Sequence, residues 1–126
     1  MAKVIVQADC GNAPKKILLR DWNIAYAEGN LDFITENVTD DVSLEVVGET
    51  RVQGKTAFIE AIQEMMSQAT TKLVLHGIIT HGKEAAVNGE IHRENGEVVG
   101  FCDVYSFKSA KGNAIKAIRS YPIRIN

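Results

Sequence analysis

The sequence predicts an α+β domain in which N-terminal helices lie on one face of a mainly antiparallel sheet. Three observations predict it. Helical periodicity is confined to the first half of the chain. From Thr71 onward the chain reads as strand over 72–80, 84–93, 98–107 and 114–125, with nothing helical between. An Asn95-Gly96 pair then joins two of these strands as a tight hairpin. A doubly wound parallel sheet would need helices between the later strands, and there are none. With 126 residues, 45% hydrophobic and 24% charged, there is room for one domain and one core. The expected unit is a single domain over 1–126, with 1–11 as an N-terminal extension.

Each element has a local reason. Asn12 is an expected N-cap, and Pro14 suits a first helical turn, where its missing N–H has no partner to lose. Leu18, Trp22, Ala25 and Tyr26 recur at helical spacing, and Gly29 ends the segment as a left-handed C-terminal residue. Lys15, Lys16 and Arg20 fall on what reads as the solvated side. Asn30 caps a second, short helix through Leu31, Phe33 and Ile34, which ends near turn residues Asp40-Asp41. A strand follows at 42–47 and turns at Gly48. After Gly54 the helical period returns with Phe58, Ile62, Met65 and Met66 on one side. The stretch Gly48 to Thr56 resembles a phosphate-binding loop but holds five residues between its glycines where that motif has four, so nucleotide binding is not expected.

Composition excludes several function classes. Lys and Arg number 14 against 16 Asp and Glu, and no basic stripe appears, so no nucleic-acid partner is expected. No apolar run approaches the ~20 residues of a membrane span, so no membrane partner is expected either. The apolar start at Val4 to Val6 is broken by Asp9, which argues against a secretory leader and for a cytoplasmic protein. Cys10 and Cys102 lack CxxC or zinc spacing and read as free thiols, Cys102 as a small core or interface residue. His76, His81 and His92 have no HxH or HExxH spacing, so neither a metal nor another cofactor is expected.

The Glu94-Asn95-Gly96-Glu97 hairpin decides which side chains share a face. A two-residue type I′ turn would set Asn88 opposite Asp103, Glu90 opposite Phe101, Ala86 opposite Tyr105 and His92 opposite Val99. One face then carries Asn88, Glu90, His92 and Asp103 with Phe101, Tyr105 and Phe107, a mixture of aromatic and polar groups that suits a ligand pocket. The other carries Ala85, Val87, Gly89, Ile91, Cys102 and Val104, a smooth surface suited to core packing or a subunit contact. Were the mixed face merely solvated, its aromatics would form a large exposed patch. A one-residue slip in register would invert these faces.

The run Trp22…Tyr26-Ala27-Glu28-Gly29-Asn30, followed by Val38-Thr39-Asp40-Asp41-Val42 and Val52-Gln53-Gly54-Lys55-Thr56-Ala57, resembles the SnoaL-like and ketosteroid-isomerase-like branch of the nuclear transport factor two superfamily. The stretch Phe101 to Phe107 and the strand Ile115 to Tyr121 are similar as well, so the resemblance spans roughly residues 13–125. It implies a cone-shaped, cystatin-like α+β domain whose strongly bent sheet wraps helices around a pocket. It also implies a homodimer, here through the sheet. Asp103 matches the strand aspartate that, kept protonated, donates a hydrogen bond to a substrate oxyanion. Trp22 stands where the isomerase has its oxyanion tyrosine. The isomerase base falls near Val46, where no carboxylate is present, and Glu45 would point to the other side of the strand. Standard ketosteroid isomerisation is therefore not expected.

The residues themselves support a limited chemistry. A carboxyl among Phe101, Tyr105 and Trp22 has its charged form disfavoured by desolvation, which makes Asp103 a candidate general acid. Glu90 and His92, two apart on one strand face, form a candidate carboxylate-oriented base. Trp22, Tyr26, Val46, Met65, Asn88, Phe101 and Tyr105 are the candidate ligand-binding residues. Purely structural roles compete at each position: an Asp103–Asn88 bond across the strands, an exposed rim for His92, core packing for Trp22 and Tyr26. The expected function is binding of a small, mostly apolar, oxygen-bearing molecule. Proton transfer of the isomerase, cyclase or hydrolase type would make it an enzyme, and a non-catalytic dimerisation or ligand-binding module is the alternative.

Overall fold

A computed structural model describes residues 2–126. Its first helix, α1 (Pro14–Glu28), begins with Pro14 in the first turn, and the preceding cap position is Ala13 rather than Asn12, with no side-chain cap bond. It stops at Gly29, whose φ of 75° is the left-handed conformation that glycine adopts without steric cost. Asn30 then caps α2 (Leu31–Glu36), its Oδ1 accepting the Phe33 N–H at 3.2 Å. The third helix, α3 (Lys55–Met66), buries Phe58 and Ile62.

The strands are β1 (Lys3–Val6), β2 (Val38–Val46), β3 (Thr50–Gln53), β4 (Thr70–His81), β5 (Glu84–Arg93), β6 (Val98–Phe107) and β7 (Ile115–Arg124). They form one open sheet in the order β1-β4-β5-β6-β7-β2-β3. β1–β4 and β2–β7 are parallel, and the other pairs are antiparallel. The helices lie against one face, here called the covered face, giving the α+β, cone-like arrangement expected. Leu19, Trp22, Phe58 and Ile62 pack there against Leu44, Leu73, Leu75, Val87, Tyr105, Ile115 and Ile118, all of them buried.

Local features differ from expectation, each for a physical reason. Lys3–Val6, within the expected N-terminal extension, adds an edge strand because alternating Val4, Ile5 and Val6 can pair with Leu73 to Leu75. β2 starts at Val38, earlier than position 42, and Asp40-Asp41 sit within it where the register with β7 shifts between Val38 and Ser43. The phosphate-loop look-alike contributes β3, which folds back on β2 after Gly48. Lys15 is half-buried, its Nζ bonding the carbonyls of Ala110 and Gly112 while lying 4.9 Å from the Phe107 ring centre, so it ties α1 to the β6–β7 turn.

The central correction concerns the β5–β6 hairpin. Its loop has three residues, Glu94 to Gly96. The Gly96 N–H bonds the Arg93 carbonyl, and the Arg93 N–H bonds the Glu97 carbonyl. Gly96 alone takes a positive φ, 89°, whereas a type I′ turn needs Asn95 there too. This loop, closing a turn with a left-handed glycine, moves the register by one residue. Val87 lies opposite Asp103, Ala85 opposite Tyr105 and Gly89 opposite Phe101, while Asn88 lies opposite Cys102.

Candidate functional site

The covered face opens at one end into a cavity of about 780 Å³, a size that suits a small-molecule site. The sheet contributes Val46, Ile91, Val99, Phe101, Asp103, Ile118 and Ser120 to its wall; α1 contributes Trp22, Asn23 and Tyr26; α3 contributes Ala57, Ala61 and Met65. Alternation explains the sheet's share. Residues 99, 101 and 103 of β6 point one way, as do 118 and 120 of β7, and the helices must leave space for these side chains.

Among the described residues, Asp103 alone has a buried side-chain polar atom without a hydrogen-bond partner, and it stands in this apolar wall. Its Oδ1 is buried and has no hydrogen-bond partner. Burial pushes the carboxyl up to about 6, and the nearby Ser120 and Tyr105 hydroxyls, which favour the charged form, do not offset it. Ser120 lies directly across β7 from Asp103. Tyr105 is fully buried behind Asp103, with its own phenol raised well above the ordinary value by burial first and by the neighbouring carboxyl second. Its hydroxyl lies 3.3 Å from Asn23 Nδ2, and its ring meets Trp22 edge-on at 5.8 Å. Asn23 also donates to the Leu19 carbonyl at 2.8 Å. A fixed polar floor of Tyr105 and Asn23 thus supports a carboxyl that still has an acceptor or donor to offer.

The sequence-derived site divides in two. Asp103, Phe101, Val46, Met65, Trp22 and Tyr26 all line the cavity. Trp22 contributes its ring, but its indole N–H is directed to the Ile34 carbonyl at 3.4 Å and does not stand in for the oxyanion tyrosine. Tyr105 supports the site from beneath. Tyr26 is largely buried, and burial raises its phenol while the adjacent Arg93 pulls it down.

Asn88, Glu90 and His92 are not brought together with Asp103. The one-residue register change sends them to the open face of the sheet, and Ala85, Val87, Gly89 and Ile91 take the covered face instead. There Glu90 sits between two imidazoles, with His92 Nε2 2.9 Å from Oε1 and His76 Nε2 3.4 Å from Oε2. These contacts, His92 first, hold the Glu90 carboxyl below its usual range. His76 Nδ1 also meets Gln7 Oε1 at 2.7 Å. Among the described residues no cluster of three or more His, Cys, Asp or Glu has the geometry of a metal site. Cys102, expected in a core or interface, is an exposed thiol on this open face, and Cys10 is a buried one.

Sequence reasoning missed Asn23, Ser120, Arg93, Glu97 and Arg124. The β6–β7 pairing would have disclosed Ser120 and Arg124, since they alternate with Ile118 on the face of Asp103. Arg93 follows from Ile91 once the hairpin is given its three-residue loop. Asn23 carries no sequence signal beyond lying next to Trp22.

No curated protein matches the chain by sequence. Among solved structures, an NTF2-like protein of unknown function from Burkholderia xenovorans superposes with a TM-score of 0.76 at 14% identity, covering 94% of this chain and 89% of that one. An LEH-like epoxide hydrolase of M. tuberculosis gives 0.70 at 16% identity over 86% and 82% of the two chains. The epoxide hydrolase/cyclase-like enzyme SalBIII of salinomycin pyran ring formation gives 0.68 at 20% identity over 86% and 90%. At these identities the likeness is one of fold. The SnoaL-like domain model matches residues 19–115, from the buried Leu19 of α1 to the first residue of β7. That match takes in most of α1, all of α2 and α3 and both strands of the Asp103 hairpin, and on it the chain belongs to the SnoaL-like domain family.

Proposed function

We propose that this SnoaL-like domain binds a small, mostly apolar, oxygen-bearing molecule in the cavity, and that Asp103 meets the oxygen as a protonated carboxyl. The observation that carries this reading is a desolvated carboxyl in the wall of an apolar cavity, with one oxygen buried without a partner and the residue as a whole still partly exposed. A ligand oxygen that bonds the exposed part of this carboxyl gains a hydrogen bond worth about 1 kcal/mol or more in a poorly solvated setting. At pH 6 and below the carboxyl still holds the proton that a general acid must give. That structural neighbours of this fold include an LEH-like epoxide hydrolase and an epoxide hydrolase/cyclase-like enzyme supports the reading. Two unpaired thiols agree with a cytoplasmic setting.

The test pairs binding with turnover. Decanal, its alcohol and a terminal epoxide of similar length serve as probes. Asp103→Asn and Asp103→Leu are compared with wild type for binding and for epoxide opening. Asp103→Leu should weaken binding of the oxygenated probes about tenfold or more, the value of one charge-assisted or buried hydrogen bond. Unchanged binding in Asp103→Leu would sink the assignment.

A second reading has its own support. Val46, in the wall near Asp103, is apolar and 5% exposed, so no carboxylate base stands at that strand position. On the open face, Ile79, Tyr121 and Ile123 are large and exposed, at 69%, 41% and 69%. Beside them on this face lie Ala86, Val104 and Cys102, flanked by Arg119 and Asn88. A non-catalytic binding module that forms a homodimer through this face accounts for both features.

A further inference from the structure

The cavity has a second polar pole, remote from Asp103. Arg93 ends β5 on the covered face, and its Nε stands 3.1 Å from Glu97 Oε1. Arg124, paired with Val99 at the end of β7, places Nη1 3.8 Å from Glu97 Oε2. All three line the cavity. One carboxylate therefore serves two guanidiniums, and the group keeps one uncompensated positive charge.

Arg93 is the sheltered member. Its side chain is 18% exposed, against 66% for Arg124, so its field is the less screened of the two. The pair through Nε occupies one of five donors, and the planar fork matches a carboxylate in two-point fashion. Glu97 already demonstrates that a carboxylate fits between the two arginines. The other acidic groups on the cavity wall are Asp103, at the far pole, and Glu49, Glu60 and Glu64, from α3 and the β2–β3 turn, the last three exposed. They disfavour small free anions. An anion has to arrive attached to a body that the apolar wall holds.

The two poles are well separated. Along β7, Arg124 is four residues beyond Ser120, which faces Asp103; along β5, Arg93 is six beyond Val87, which faces it too. At a rise of ~3.3 Å per residue the separation is at most roughly 13–20 Å. Ile91, Val99 and Phe101 occupy the wall between.

We infer that the site selects an amphipathic carboxylate, its carboxylate held by Arg93 and Arg124 and its apolar body lying along Ile91, Val99 and Phe101 toward Asp103. This rests on the reading of the cavity as a ligand site, and it narrows the ligand class of that site.

Decanoate, 1-decanol and decylamine, titrated calorimetrically into the purified protein at pH 6, test it. Decanoate should bind about tenfold tighter than decanol, with decylamine weakest, in keeping with charge-assisted hydrogen bonds to a half-buried guanidinium. The acid-over-alcohol ratio should fall toward one in Arg93→Gln and in Arg124→Gln. It should shrink in 0.5 M salt, while decanol affinity does not weaken. Should Arg93→Gln fold poorly, Arg124→Gln and the salt series carry the test alone. Equal affinities for acid and alcohol in wild type, or a preference that survives Arg93→Gln/Arg124→Gln, overturns the inference and leaves the cavity reading intact. Failure of both acid and alcohol to bind removes the cavity reading, and this inference with it.

Discussion

Asp103 and Ser120 stand directly opposite one another across β6 and β7, both on the covered face, yet Asp103 Oδ1 is buried with no hydrogen-bond partner. The carboxyl therefore carries a desolvation cost in its charged form that the unfolded chain does not. The folded pKa of about 6 lies above the ordinary 3.8, so the native state holds this proton over a pH range in which the unfolded state has lost it. Stability from this group is full below 3.8 and declines as pH rises to about 6. A shift of this size corresponds to roughly 3 kcal/mol. Asp103→Asn has no charge to desolvate, so its stability relative to wild type should grow by roughly that amount between pH 4 and 7. Urea denaturation of both proteins at pH 4, 5, 6 and 7 measures it, and a difference independent of pH would refute the burial of this carboxyl.

Glu90 behaves in the opposite sense. His92 and His76 hold its carboxyl low, so its contribution is present above the unfolded pKa and is lost as pH falls through the folded one. Its side chain is 31% exposed on the open face, and Glu90→Gln should cost less than about 1 kcal/mol. Decanol affinity should be unchanged, because no atom of Glu90 lines the cavity. A large loss of binding would place the functional site on the wrong face of the sheet.

Two glycines of β4 and β5 predict contrasting costs. A Cβ at Gly89 would run into the Val74 backbone carbonyl, which cannot rotate away. Gly89→Ala should destabilise by about 3 kcal/mol or more, the upper range for overpacking. A Cβ at Gly77 would meet only Asn88 Oδ1, at 2.9 Å, the end of an exposed side chain that can turn. Gly77→Ala should cost less than about 1 kcal/mol. Thermal and urea melts of the two variants give the comparison; similar costs would contradict the pairing of Leu75 with Gly89.

The exposed Ile79, Tyr121 and Ile123 of the open face yield a prediction about assembly. If this face joins two copies, light scattering should return twice the 13.8 kDa of one chain. Tyr121→Glu with Ile123→Lys should return the single mass, because two charges in the buried centre of an isologous contact cannot be solvated. A wild-type protein that is monomeric at high micromolar concentration would remove the proposed interface.

The sequence by itself determined the fold class, because its signals are periodic and local. Helical spacing at Trp22, Ala25 and Tyr26 and at Phe58, Ile62 and Met65 needs no distant partner to be read, nor does the left-handed stop at Gly29 or the Asn30 cap. It also singled out Asp103, a carboxylate between aromatics, and set Val46 and Phe101 on the wall that the cavity has. Edge strands β1 and β3 escaped notice because four-residue strands carry too little pattern and depend on partners far along the chain. The side of the sheet on which Glu90 and His92 lie was decided only by the tertiary structure. Asn95-Gly96 is compatible with a two-residue and a three-residue loop, which differ by one position, and strand side chains alternate with a period of two. Packing chooses between them: the small and aliphatic Ala85, Val87 and Ile91 fit beneath the helices, and the charged alternates go to water. Arg93 enters the cavity by that same choice.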